Sequence, residues 1–327
     1  MVADLSYVLP FRSDGDENLD ELTSYLRWLR ERAEVIVVDG STDEDFARHH
    51  ELWSFLTHVA PLAPHRYRNG KVNGVLTGLA QANFDKVILA DDDVRYDAAA
   101  LSRMEQLLED NELVRPQNFF ATHPWHAMWD TGRTLLNRSL GRDYPGTLGV
   151  RRDALVGVGG YDGDVLFENL ELIRTVQAAG GRVSSPLDLY VARIPPTVGR
   201  FLNQRVRQAY DDFSQPLRMV LFLAVLPALV VAVLRRRGRQ VGTGVTGIVV
   251  LAEVGRRRSG GRHMFPPVAS LLAPLWVLER GVCVWIALAQ RVVAGGAVYR
   301  GERIRVAANS RRTIGRRLGS QSDRSRL

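Results

Sequence analysis

The sequence is poor in cysteine and in lysine. A single cysteine, Cys283, among 327 residues rules out a disulfide framework and a four-thiolate zinc site. Only two lysines occur, Lys71 and Lys86, so nearly all of the 43 basic side chains are arginine. No internal repeat is apparent, which sets repeat architectures aside. The first ten residues lack a basic start and a long apolar core, so no signal peptide is expected and the N-terminus is expected to stay in the cytoplasm. What the chain does have is 46% apolar residues, too many for an extended disordered polymer.

A net charge of +7 conceals a division. Residues 1–199 hold 20 basic and 30 acidic side chains, and residues 200–327 hold 23 basic and 6 acidic ones. The basic part also contains the longest apolar runs. Arginines at the edges of apolar runs indicate a membrane with anionic lipid rather than nucleic acid.

Residues 1–199 alternate strand-like and helix-like segments. Leu5–Phe11, Val35–Val38 and Lys86–Ala90 read as strands, and Leu19–Arg32, Glu44–Phe55, Val72–Ala82 and Ala98–Glu109 as helices. This is the pattern of βαβ units and a mostly parallel α/β sheet, whose ligands bind at the carboxyl edge. Further on, Leu113–Phe120 reads as a strand interrupted by Pro116, and Gly146–Val150 as another strand. Trp125–Leu140, Glu168–Ala179 and Val198–Phe213 read as helices. Three apolar stretches follow: Leu217–Leu234, Val241–Val254 and Phe265–Val298. Measured against a span of about 20 apolar residues, the first nearly qualifies, the second is marginal, and the third is long but carries Glu279, Arg280 and Arg291. If the first run crosses fully from a cytoplasmic domain, Arg235–Arg239 emerge outside, against the positive-inside tendency.

The expected organisation is a catalytic domain over 1–198, an amphipathic interfacial helix over 199–215, membrane helices over 216–298 and a basic, disordered tail over 299–327.

Asp91, Asp92 and Asp93 form the central feature. Adjacent carboxylates at a strand end can reach one divalent cation, and oxygen ligands suit Mg2+ or Mn2+ bridging to phosphate. An isolated acidic triplet would more simply be a solvated turn; its place after an apolar strand favours the cation. Asp39, followed by Ser41, either accepts hydrogen bonds from a nucleobase or ribose or forms an Asx-turn. Lys71 either contacts a phosphate or is a solvated residue at a helix start. Glu168 and Glu171 share a helix face and are either a general base with a reserve or a capping pair. Gln204, Arg205 and Arg207 either clamp a phosphate or lie against lipid headgroups. Trp125 and Trp129, four apart, can stack on a sugar or lipid, with core packing the favoured reading.

The order Val38-Asp39-Gly40-Ser41, Asp91-Asp92-Asp93, Gly159-Gly160-Tyr161 with Glu168-Asn169, then Gln204-x-x-Arg207, with apolar segments behind, resembles the membrane-anchored family 2 glycosyltransferases of the GT-A fold. Ceramide-glucosyltransferase-like and hyaluronan- or cellulose-synthase-like enzymes belong to that group. The resemblance covers residues 5–215, with a compatible segment around 295–305. It implies a GT-A domain followed by membrane helices, and an inverting transfer from a nucleotide-diphosphate sugar to a lipid or glycan hydroxyl. The implied place is the cytoplasmic face of the plasma membrane. Asp39 then looks like the nucleotide-binding aspartate, joined by Ser41, Lys71 and Asp92. Asp91 with Asp93 looks like the DxD pair holding Mg2+ or Mn2+. Arg152 looks like part of the acceptor-flanking segment, and Trp125 and Trp129 are acceptor candidates. Gln204 and Arg207 look like the Q-x-x-R-W motif near the diphosphate. Two positions depart from the pattern. Asn169 stands where the family has its aspartate base, leaving Glu168, with Glu171 in reserve; Gln208 stands in place of the tryptophan. A tethered, non-catalytic GT-A domain acting as a scaffold is the alternative that Asn169 suggests.

Overall fold

The computed structural model describes residues 4–13, 15, 19–63, 67–141, 143–299 and 301–324. The first part of the chain runs β1 (Leu5–Phe11), α1 (Asp20–Arg30), β2 (Glu34–Asp39), α2 (Asp43–Leu52), β3 (Thr57–Val59), α3 (Gly70–Gln81), β4 (Lys86–Ala90), β5 (Val94–Arg95) and α4 (Ala98–Asp110). Next come β6 (Leu113–Val114), β7 (Gln117–Phe120), α5 (Trp125–Ser139), β8 (Thr147–Arg151), α6 (Arg152–Val156), α7 (Glu168–Ala178), β9 (Val183–Ser184) and β10 (Tyr190–Arg193). The remainder is α8 (Val198–Tyr210), α9 (Pro216–Leu234), α10 (Gly238–Arg257), α11 (Pro267–Val293), β11 (Ala297–Tyr299), β12 (Glu302–Ile304) and α12 (Arg311–Arg324).

Two compact units result. The first comprises Met1–Pro116, Tyr144–Val191 and Asn309–Leu327; the second comprises Gln117–Asp143 and Ala192–Ala308. The expected cut near residue 198 is therefore replaced by a division in which each unit takes separate stretches of chain.

The first unit is built on a seven-stranded sheet of order β3-β2-β1-β4-β8-β6-β9. β8 pairs antiparallel with both β4 and β6, and the other pairs are parallel. The alternation of side chains along each strand fills both faces. Leu5, Tyr7, Leu9 and Phe11 of β1 join Leu22, Leu26 and Leu29 of α1 and Met104 and Leu108 of α4 in one core. Val8 of β1, Ile36 and Val38 of β2 and Leu89 of β4 join Val72, Val75 and Leu79 of α3 and Ile173 and Val176 of α7 in the other. Gly78 lets α3 lie this close to the sheet, since a Cβ there would come 2.2 Å from a methyl of Val8.

β1 carries β2 on one side and β4 on the other. Successive connections thus leave β1 in opposite directions, which opens a crevice at the carboxyl ends of β1 and β4. Asp39 and Asp91 lie at the carboxyl ends of β2 and β4.

The basic tail is not disordered: residues 311–324 form α12. Arg/Ser/Gly-rich composition argues for disorder, but one apolar side chain, Ile314, is buried, with only 4% of its surface exposed. Arg317 pairs with Asp162, and Asn309 bonds Glu171 at the start of α7. Arg300 and the last three residues of the expected tail lie outside the described residues.

The second unit packs α5, α8, α9, α10 and α11 around a charged interior. Arg205 of α8 reaches Asp130 of α5 and Glu279 of α11, both at 2.8 Å. Glu279 also accepts from the Trp129 indole at 2.9 Å, and Arg133 pairs with Asp130 and Asp143. Arg280 is only 4% exposed and faces Asp212 at 3.7 Å. Glu279 and Arg280 of the third apolar stretch are therefore each matched by other elements of the unit. Gly255 seats α10 on α5, where a Cβ would approach the Leu135 carbonyl oxygen to 1.9 Å.

Among the described residues, two helices, α9 and α11, are long and apolar enough to cross a membrane. At 1.5 Å per residue, the 19 residues of α9 and 27 of α11 extend about 28 and 40 Å. α10, the marginal stretch in sequence, is helical but does not join them. Little of α9 is covered: Leu217 and Leu234 at its two ends are 75% and 77% exposed.

Candidate active site

Three elements of the first unit bring charge together beside the β1/β4 crevice. β4 ends at Ala90 because Asp91 turns the chain, its carbonyl accepting from Val94 N. α3 begins where Asn69 caps it, its side chain accepting from Lys71 N at 3.1 Å. Asn69 also donates through Nδ2 to the Val165 carbonyl at 3.2 Å, tying the start of α3 to the loop before α7. Glu168 opens α7.

The result is a three-residue charge cluster. Lys71 Nζ lies 2.6 Å from Asp91 Oδ1 and 2.8 Å from Glu168 Oε1. Burial would lower the Lys71 ammonium, but the carboxylates of Asp91 and Glu168 outweigh it and hold the pKa above the ordinary lysine value. Asp91 and Glu168 remain 28% and 15% exposed, so the cluster is reachable by a substrate. Lys71 is neither a solvated lysine nor a free cation awaiting phosphate; it joins the first acid of the triplet to the expected base.

Asp92 and Asp93 complete the triplet and are half-buried. Among the described residues, no group of three or more His, Cys, Asp or Glu side chains is placed to hold a metal ion. Asp91 and Asp93 would hold a metal through hard carboxylate oxygens, donors that suit Mg2+ or Mn2+.

Asp39 corrects the expectation of direct nucleotide contact. Its side chain is fully buried, with His49 Nδ1 at 2.7 Å and His58 Nε2 at 3.2 Å on Oδ2. Its Oδ1 accepts from Ser41 N at 2.9 Å, so the Asx-turn reading is the one realised. Ser41 is likewise occupied, since its Oγ accepts from Ser13 N. Burial raises the Asp39 carboxyl, but hydrogen bonds from His58, Ser41 and His49 prevail and bring it down to about 2. The two histidines escaped the sequence reading. His49 sits inside an amphipathic helix and His58 in a three-residue strand, and only the fold places them under β2.

A folded-state value near 2 lies below the ordinary 3.8, so this contribution is present above about pH 4 and is lost as pH falls toward 2. Asp39→Asn is expected to lower stability by about 2 kcal/mol at pH 7. The gap between variant and wild type should narrow by about half at pH 3 and close toward pH 2. Urea midpoints at pH 7 and pH 3 check this; equal gaps at both values would show that the carboxylate charge is not what matters.

Other expected site residues are placed differently. Glu171, the reserve base, is only 1% exposed and accepts from Asn309 N at 2.6 Å and Asn309 Nδ2 at 2.9 Å. Burial pushes its carboxyl above the usual range, against those hydrogen bonds. It anchors the segment leading to α12, and the base role is corrected accordingly. Asn169 donates Nδ2 to the Pro145 carbonyl at 3.1 Å, a bond an ionised aspartate there could not make. Arg152 donates Nε to the Leu79 carbonyl at 2.8 Å and so serves α3 rather than an acceptor.

Gln204, Arg205, Arg207, Trp125 and Trp129 belong to the second unit. Arg205 is no phosphate clamp, being consumed by Asp130 and Glu279. Arg207 stacks over the Tyr299 ring at 5.1 Å, and Gln204 is half-buried on the same helix. Trp129 is held by Glu279. Trp125 is 51% exposed, against the preferred reading of core packing, and meets Trp129 edge-on at 6.3 Å.

The sequence matches no family model and no curated protein. Among solved structures, a mannosyltransferase from Pyrobaculum calidifontis in complex with GDP-Man and Mn2+ is similar over 99% of this chain and 87% of its own. The TM-score is 0.50 and the identity 16%. Glucosyl-3-phosphoglycerate synthase from Mycobacterium tuberculosis, with Mn2+, UDP and phosphoglyceric acid, aligns over 63% of this chain and 76% of its own, at TM-score 0.42 and 18% identity. Mannosyl-3-phosphoglycerate synthase from Rubrobacter xylanophilus aligns over 62% and 70%, at 0.41 and 14%. The fold of this chain is thus the GT-A type, a mixed α/β architecture with a mostly parallel sheet.

Proposed function

We propose that this chain is an inverting, Mg2+- or Mn2+-dependent glycosyltransferase of the family 2 type. In this reading it moves a sugar from a nucleotide-diphosphate donor to a hydroxyl of a lipid, lipid-linked or glycan acceptor. The observation that carries it is the meeting of Asp91 and Glu168 on Lys71, just past the carboxyl end of β4. A strand-end acid and a helix-start acid, far apart in sequence, are brought to one cation on a fold shared with a mannosyltransferase solved with GDP-Man and Mn2+. The ordered motifs support the ceramide-glucosyltransferase-like or hyaluronan-synthase-like branch.

The residues divide the work. Asp91 and Asp93 would hold the cation, which when bound neutralises charge on a diphosphate leaving group. Lys71 fixes the directions of the Asp91 and Glu168 carboxylates and offsets their charge, so that a diphosphate approaches at less electrostatic cost. Glu168 takes the proton of the acceptor hydroxyl, whose oxygen then attacks the anomeric carbon opposite the nucleotide. A single displacement inverts that carbon.

Membrane association is supported by the exposed apolar surfaces of α9 and α11; the cytoplasmic face of the plasma membrane follows from the family resemblance alone. A lipid or lipid-linked acceptor follows from such tethering, because the substrate is confined to the same bilayer.

The test is release of nucleoside diphosphate from a panel of nucleotide sugars, titrated with Mn2+. Wild type should show cation-dependent release, and Asp93→Ala should lose about 100-fold or more of it, the size of effect a Lewis acid supplies. Equal background signals from both proteins would remove the catalytic reading and leave the non-catalytic scaffold.

A further inference from the structure

The turn from α10 to α11 concentrates one sign of charge. Arg256, Arg257, Arg258 and Arg262 fall within seven residues, with His263 next. Ser259 and Gly260 both have left-handed backbone, φ 49° and 77°, which folds the turn back on itself. Arg256, Arg257, Gly260, Arg262 and His263 thereby line one cavity of about 520 Å³. That volume is within the range of pockets that hold small ligands.

The charges in this cavity are not balanced. Among the described residues, Glu253 is the carboxylate paired with Arg256 and Arg257, bonding Arg256 Nε at 2.7 Å and Arg257 Nε at 2.6 Å. Arg257 gives Glu253 only that one nitrogen, and its side chain is 72% exposed. Arg262 gives Nε to His263 Nε2 at 3.1 Å and pairs with no carboxylate among the described residues. Arg258 spends its Nη1 on the carbonyls of Arg138 and Ser139. Two guanidinium forks, those of Arg257 and Arg262, therefore border the cavity with donors to offer, and a planar fork matches a phosphate.

A second observation gives the rest of the ligand. α11 starts at Pro267, four residues beyond His263. Val268, Leu271, Leu275, Leu278 and Val282 recur at alternating steps of three and four, which puts them on one helix face. All five are exposed, from 39% at Leu278 to 66% at Leu271. A cationic turn thus heads an open apolar stripe, the complement of a molecule with an anionic head and a hydrocarbon tail.

We propose that this turn binds the phosphate of an anionic phospholipid, with Arg257 and Arg262 on the phosphate and the acyl chains along the Val268–Val282 face of α11. The inference rests on the membrane placement of the second unit and not on sugar transfer.

The experiment uses the purified full chain in neutral detergent, titrated with phosphatidylglycerol, phosphatidylcholine or inorganic phosphate, with thermal midpoint as the reading. Wild type should be stabilised by phosphatidylglycerol well beyond phosphatidylcholine. Arg257→Gln/Arg262→Gln should weaken the apparent phosphatidylglycerol affinity by about tenfold or more, since each arginine near an anionic headgroup is worth about a factor of five. Arg235→Gln/Arg239→Gln removes equal charge from the turn between α9 and α10 and should leave that affinity unchanged. Equal losses in both variants would reduce the effect to general charge and overturn the site, as would no loss in the first. Stabilisation by phosphate alone, without lipid preference, would overturn the lipid assignment. A chain that stays soluble without detergent would end the membrane placement, whereas lipid selectivity retained by a chain with no transferase activity would end the catalytic reading alone.

Discussion

Glu168→Gln is expected to lower kcat about 1000-fold while leaving the donor KM within about threefold, because a positioned general base contributes about 100- to 10,000-fold. The amide keeps the shape of the side chain and an oxygen facing Lys71, so the variant removes proton acceptance more than architecture. Glu171→Gln is the informative companion. Its carboxylate is engaged by Asn309 from backbone and side chain, and burial raises its pKa. Its loss should lower thermal stability and change kcat by less than about threefold, as expected of a group that does not touch the reacting atoms. Steady-state kinetics on both variants, with the donor found by screening, decide the matter. A large kcat loss in Glu171→Gln with a small one in Glu168→Gln would transfer the base role to the buried residue.

Arg205→Ala should be the most destabilising single change in the second unit. Arg205 is 6% exposed and binds Asp130 and Glu279 at 2.8 Å each, with Trp129 bonded to the same glutamate. Burial disfavours its charge, but Asp130 and Glu279 prevail and raise its pKa. Burial likewise works against the Asp130 carboxylate, and Arg133 and Arg205 overcome it. Removing Arg205 leaves Glu279 without its ion-pair partner and the buried Asp130 with Arg133 alone, at a cost of about 3–5 kcal/mol. For a unit of this size that corresponds to a fall of about 10 °C in thermal midpoint. Differential scanning in detergent measures it. A fall below about 2 °C would mean that water compensates the network, and the ion pairs would then not hold α5, α8 and α11 together.

The βα alternation of the first unit was legible because its strands are short apolar runs and its helices keep a steady apolar face. That reading placed Asp39 and Asp91 at strand ends and Glu168 at a helix start. β3, β5, β6, β9 and β10 have two to four residues each, too few to show a period. The reversed direction of β8 depends on its partners β4 and β6 and has no local signature. Asp39 shows the limit most clearly: Asp-Gly-Ser is compatible with a ligand site and with an Asx-turn, and His49 and His58 decide between them from other elements. The Lys71 bridge was also out of reach, because its partners are a strand end and a distant helix start. In Gln204-Arg205-Val206-Arg207, two arginines two positions apart are equivalent by sequence alone. The helical twist sends Arg205 into the interior and leaves Arg207 over Tyr299.

The return of Asn309 and α12 to the first unit has a bearing on biosynthesis. The helix that opens with Glu168 is braced through Glu171 by a segment synthesised after every apolar helix of the second unit. On a ribosome adding about 5–20 residues per second, the apolar helices emerge before that brace does. The first unit therefore completes its assembly only once residues 216–293 have been made, so any chain cut short within them lacks the brace on the helix that opens with Glu168.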